Sequence, residues 1–331
     1  MKKILLIVAI IFATTITASA QFSGGSGTQA DPYQITSKAD MEALSDSCFY
    51  GNYYSIDKYF LLMNDIIDSI RTMVGTYDGS PLNKGFYGNF NGNNHKINLA
   101  ISFNVLNQGG AIFGCNRGEI ENIITDGAVI NTALNSTVSA ISTVNKGLIS
   151  NCVNLSQIEG SIVAGISARN DGTIINCANN GLIYGDIAGG IAANVGGGGV
   201  AIVSNCTNTG TIIGNLYTGG VAANLLNNNS STIQNCVNSG FVKGIARVGG
   251  IVGIAGGTKT HTIIKCINAG VIESDTYGGS ILGYIGTGTI TQTITDCFYD
   301  IQMCKYKAVN NQDHPGVTGL PTHLLMEELA K

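Results

Sequence analysis

A cysteine returns along this chain in a fixed setting. Asn151-Cys152, Asn176-Cys177, Asn205-Cys206, Asn235-Cys236, Lys265-Cys266 and Asp296-Cys297 recur at spacings of 25, 29, 30, 30 and 31 residues. Asn122-Ile123 fits one unit earlier, with Ile in the Cys place. Two residues after the Cys come Asn154, Asn179, Asn208, Asn238 and Asn268. Four residues after it come Gly181, Gly210, Gly240 and Gly270, with Gly127 in the Ile123 unit and Ser156 as the exception. Self-similarity at this period marks stacked units. One unit of this size cannot bury an apolar face alone, so neighbours must supply the core.

Each unit holds three apolar runs: an Ile pair before the Cys (Ile174-Ile175, Ile263-Ile264), a second pair after the Gly (Leu182-Ile183, Val271-Ile272), and a Gly-Gly-apolar element such as Gly219-Gly220-Val221. Short Ile- and Val-rich runs bounded by Gly and Asn read as strands, and no helical stripe is present between residues 118 and 298. Three strands and three turns in 25–31 residues make one coil of an all-β, right-handed parallel β-helix. At about 4.8 Å per coil the stack is roughly 35–45 Å long. The recurring Gly and Asn are expected at turns that need positive φ. Ala164-Gly165 departs from the Gly-Gly pattern and marks the least regular coil.

The sequence therefore predicts a structural ladder of inward Cys152, Cys177, Cys206, Cys236, Cys266 and Cys297, beside a hydrogen-bonded column of Asn154, Asn179, Asn208, Asn238 and Asn268. Disulfides are the rival reading, because an exported chain meets an oxidising compartment. In-register Cβ atoms about 4.8 Å apart exceed the usual 3.5–4.5 Å of a disulfide. Cys297 and Cys304 could still form a terminal staple, and nine cysteines leave at least one without an intramolecular partner. No CxxC occurs and the four histidines are scattered, so no metal or other cofactor is expected.

The ends differ from the middle. Residues 1–20 read as a signal peptide: Lys2 and Lys3, an apolar run from Ile4 to Ala13, and the small-residue site Ala18-Ser19-Ala20. The run is too short to span a bilayer, and no later stretch qualifies, so no transmembrane segment is expected. Residues 21–115 read as an N-terminal cap merging into the first coils. It contains a capping box at Ser37–Asp40, a short helix carrying Met41 and Leu44 to about Ser45, and a buried strand at Tyr59–Met63. Residues 116–298 form the repeats, and 299–331 a C-terminal cap, where Leu324, Leu325 and Leu329 would dock a short helix. Such caps cover the open edge of a solenoid.

Function is less legible. The net charge of −4, with charged residues at 11%, gives no footprint for nucleic acid. Glu119/Glu121 and Glu273/Asp275 are the close acidic pairs of the repeats, each spaced to share a strand face. They read as solvated positions, with weak cation binding as the sharper alternative. Thr287, Thr289, Thr291, Thr293 and Thr295 alternate in one coil only, too little for a repeated Thr face. Tyr184, Tyr217 and Tyr277 are candidate ligand contacts, since tyrosine rings stack on sugar faces. The simpler role for any one of them is to cover an apolar edge.

The unit GGVAANLLNNNSSTIQNCVNSGFVKG resembles the GLUG motif, a repeat of bacterial secreted and cell-surface proteins. The opening FSGGSGTQADPYQITSKADMEAL and GFYGNFNGNNHKI resemble the module that precedes such repeats, and CFYDIQMC with GVTGLPT resembles their terminus. The resemblance covers nearly all of the chain after residue 20 and implies a β-helical surface protein, associated with adhesion and without catalytic residues. Some members carry an IgA-type metallopeptidase domain, but this chain has no HExxH. The expectation is a non-catalytic adhesion or ligand-binding module whose partner is an extracellular glycan or a host or matrix protein. A structural spacer is the first alternative, and a polysaccharide-degrading enzyme the second.

Overall fold

A computed structural model describes residues 22–77, 84–225, 229–286 and 292–330. The signal-peptide reading and the threonines at 287, 289 and 291 fall outside the described residues. Strands stack in parallel into a solenoid with three faces. The first face is a ten-stranded sheet running from Tyr33–Ile35 to Thr293–Thr295. The second is a broad nineteen-stranded sheet, and the third a seven-stranded sheet from Phe113–Asn116 to Leu282–Ile285. Ten rungs at about 4.8 Å give a stack roughly 45 Å long.

One coil shows the pattern. Thr173–Ile175 lies on the first face, Ala178–Asn179 and Leu182–Gly189 on the broad face, and Ala192–Val195 on the third. Each pairs in register with the next coil: Ile174 with Val203, Asn179 with Asn208, Ile183 with Ile212, Ala192 with Ala222. Alternation sends Ile149, Ile174, Val203, Ile233 and Ile263 inward as one buried column. Ala164 pairs with Gly189, so the coil with the irregular Gly-Gly element keeps register.

The corner before each cysteine explains why Asn recurs immediately ahead of it. Asn122, Asn151, Asn176, Asn205, Asn235, Lys265 and Asp296 all have φ between 52° and 58°. Asn tolerates this left-handed region better than other L-residues. The repeat glycines correct the expectation of positive φ, which among them holds only at Gly127. Gly181, Gly210, Gly240 and Gly270 are required by close approach. A Cβ on each would strike the backbone carbonyl of the preceding coil, that of Gly181 for Gly210 and of Gly210 for Gly240. The second glycine of each Gly-Gly pair is similar: a Cβ on Gly220 would strike the Gly250 carbonyl and the Asn238 amide. Glycine here clears space between coils.

The ends are capped. Tyr33–Ile35, Tyr59–Leu62 and Asn89–Asn91 already belong to the first face, so the leading module supplies its first rungs. The helix Lys38–Tyr50 runs five residues past the expected Ser45, and its capping box at Ser37 and Asp40 forms as read. Met41, Leu44 and Cys48 bury its inner side. Phe60, Phe86, Phe90 and Phe113 fill the adjoining core, with ring centroids 4.9–5.9 Å apart. At the other end, helix Thr322–Leu329 buries Leu325, while Leu324 is 39% exposed and does not dock as expected. An eight-residue helix offers the stack one stripe, and that stripe falls on Leu325.

Candidate functional site

The interior is occupied by stacking. Asn154 Nδ2 donates to Asn179 Oδ1 at 2.7 Å, and the same bond links Asn179 to Asn208, Asn208 to Asn238, and Asn238 to Asn268, each at 2.7 Å. Thr125 extends the column upward through Oγ1 to Asn154 Oδ1 at 2.9 Å. All of these side chains are buried. A second buried amide ladder, Asn116 to Asn145 to Asn170 at 2.8 Å per step, runs at the end of the third face. Sequence reading missed it. The signal was the N-[DKR]-G triplet at 116–118, 145–147 and 170–172, which lies ahead of the Cys-x-Asn-x-Gly element of each unit.

The six column cysteines are buried free thiols. The backbone N–H of Cys152 donates to Cys177 Sγ at 3.4 Å, and that of Cys177 to Cys206 Sγ at 3.4 Å. Each thiol points to carbonyls of its own or the previous coil, as Cys206 Sγ does to Ser204 at 3.1 Å. Burial pushes Cys177 and Cys236 well above the ordinary thiol range. Cys304 is likewise a buried free thiol, raised by burial to about 11.

The acidic pairs separate. Glu119 and Glu121 face outward on one strand and line a cleft of about 350 Å³ with Tyr59, Asn89 and Asn91. Glu121 Oε1 is engaged by Asn91 Nδ2 at 2.8 Å. Glu273 pairs with Lys243 across coils at 3.1 Å, whereas Asp275 lies beyond the strand Ile272–Ser274 and does not share its face. The chain bends after Ser274, which ends the alternation that the spacing assumed. Among the described residues, no group of three His, Cys, Asp or Glu gathers that could hold a metal ion.

The tyrosines also divide. Tyr184 stands alone on the broad face, 45% exposed, in register with Glu159 and Ile213. Tyr217 and Tyr277 meet at one corner around Arg247. Thr218 pairs with Val248 and Val248 with Gly278, so the preceding positions Tyr217, Arg247 and Tyr277 occupy one slot in consecutive coils. The coil before them has Ile187 there. Arg247 Cζ lies 5.3 Å from the Tyr217 ring centroid and 5.2 Å from that of Tyr284. Both fall within cation–π range. Tyr277 packs on Tyr284 at 4.8 Å and is 44% exposed. Neither Arg247 nor Tyr284 was singled out from sequence, because their meeting depends on register between coils. A looser pairing places Arg117 5.8 Å from Tyr87, which packs on Tyr53.

No helix among the described residues is long and apolar enough to cross a membrane. No family model matches the chain. Halomucin of Haloquadratum walsbyi is 30% identical over 148 residues, 41% of this chain, and the match spans about 2% of that protein's length. A solved Bacteroides ovatus structure, provisionally named an immunoglobulin A1 protease, aligns with a TM-score of 0.60 at 19% identity, covering 93% of this chain and 90% of that one. The likeness shows a shared β-solenoid fold, and the fold is what this chain has in common with it.

Proposed function

We propose that the chain is an exported, cell-surface, non-catalytic binding module of the GLUG-repeat kind, which adheres to an extracellular glycan or to a host or matrix protein. The observation that carries this reading is the Tyr217–Arg247–Tyr277–Tyr284 corner. The inward amide and thiol ladders and the Ile/Val column repeat from coil to coil. This outward slot does not repeat, and the side chains that break the pattern are the types that make contact with ligands. A ladder-held corner is also preorganised, which lowers the entropy lost on binding. The halomucin stretch supports an extracellular setting, and residues 1–20 read as the leader that directs export. The likeness to the named protease is one of fold, and fold does not carry activity.

The test is an array of glycans and extracellular-matrix proteins probed with labelled chain from residue 21 onward. Saturable binding to one class supports the reading. Silence across the array shifts it to a structural spacer, a role the ladders alone would serve.

A further inference from the structure

Arg247 packs against two aromatic rings, with Asp275 on the next coil of the same corner. Among the described residues it belongs to no ion pair. Its Nε is buried with no hydrogen-bond acceptor, so an incoming acceptor would be met by the Nη groups of this half-buried side chain. Its φ of 52° adds backbone strain. Asp186, at the corresponding corner two coils earlier, is engaged by Asn215 Nδ2 at 2.9 Å. Rings at 5.3 and 5.2 Å hold the guanidinium in place. The in-plane N–H fork of such a group matches a planar acceptor with two oxygens. Beside it, Tyr277, Leu216 and Ile245 are exposed, giving a flank on which the C–H face of a pyranose ring can rest.

We infer that this corner is a subsite for a carboxylate-bearing sugar, a uronate or sialate unit of an acidic glycan. The carboxylate takes the Arg247 fork and the sugar ring lies against Tyr277 and Tyr284. Two tilted rings at 4.8 Å favour a rigid cyclic partner over the flexible side chain of an acidic peptide. The inference rests on the binding-module reading and gives that reading a ligand class.

The experiment titrates the chain from residue 21 onward with trigalacturonate, sialyllactose and lactose by calorimetry. The first two separate a uronate from a sialate source, and lactose lacks the carboxylate. Arg247→Asn removes the guanidinium while keeping a side chain that accepts left-handed φ. Expected are saturable binding of at least one acidic sugar, no heat from lactose, weakening by added salt, and at least tenfold loss in Arg247→Asn. Arg247→Lys keeps the charge without the fork. It should also bind more weakly, and it carries the test if Arg247→Asn melts early. Binding of neither acid, or equal binding by both variants and the parent, overturns the inference. If the acidic sugars are silent while the array captures a neutral glycan or a matrix protein, the inference falls and the binding-module reading stands. Silence on every probe removes both.

Discussion

Asn179 donates from Nδ2 to Oδ1 of Asn208 at 2.7 Å, and Asn208 repeats the bond to Asn238 at the same distance. The two residues lie 29 apart in sequence and adjacent in space. Each amide accepts from one coil and donates to the next, so the ladder transmits register along the broad face. Buried polar groups are costly to orphan, and the column leaves none of its interior donors without an acceptor.

Interior and terminal members of the ladder should therefore differ. Asn208→Ala strands the Asn179 donor and removes the bond to Asn238, and should cost about 2–4 kcal/mol. Asn268→Ala sits at the last amide of the column, which accepts from Asn238 and donates to the Gly270 carbonyl. It should cost about half as much. Urea unfolding of the two variants checks the ranking, and equal losses would show that the coils do not share the ladder energetically.

The thiol column should tolerate shape changes better than charge. Cys206→Ala removes one sulfur from a packed interior and should cost about 1 kcal/mol. Cys206→Asp buries a carboxylate with no cation near it and should unfold several coils together. Thermal melting of the aspartate variant at the parent temperature would mean that the column does not face inward.

Left-handed corners predict a gain as well as losses. Lys265 has φ of 52° where the equivalent position in the preceding coil is Asn235, with the same φ. Lys265→Asn should stabilise by about 0.5–1 kcal/mol. Asn205→Val places a β-branched side chain at φ of 53° and should destabilise by about 1–2 kcal/mol. Differential scanning calorimetry reads both signs in one pair of variants.

Stability should fall at both ends of the pH scale, for opposite reasons. Burial pushes His261 below its ordinary value of 6.5. The unfolded chain then takes up protons that the folded chain refuses, so stability is full above about 6.5 and drops as pH falls. Burial pushes Cys48 from 9.0 to about 12. The folded thiol keeps its proton where the unfolded one ionises, so stability is full below about 9 and drops as pH rises toward 12. Each group contributes a slope of at most about 1.4 kcal/mol per pH unit. Denaturant midpoints from pH 4 to 11 should show a plateau between the two limits. His261→Leu should flatten the acid limb, and Cys48→Ala should make the alkaline limb shallower without abolishing it, because the buried Cys177, Cys236 and Cys304 thiols are raised too.

The stacking itself was written in the chain. A Cys-x-Asn-x-Gly unit returning every 25–31 residues can only bury its apolar faces against copies of itself, and the in-register pairing of Ile174 with Val203 and Asn179 with Asn208 follows from that periodicity. Capping residues were equally local: Ser37 and Asp40 close their box within one turn. Other features required the assembled coils. The repeat glycines were legible as turn signals, yet their reason is a carbonyl one coil away, which sequence alone cannot place. The Asn116–Asn145–Asn170 ladder was hidden because its spacing became visible only once the third face existed. Tyr217 and Tyr277 could be named as outward rings, but Arg247 enters only when the coils align 217, 247 and 277 and bring Tyr284 across the corner. A repeat determines what neighbouring coils share. The contact between unlike side chains at one corner is set by register in three dimensions, because residues about 30 apart meet at about 4.8 Å.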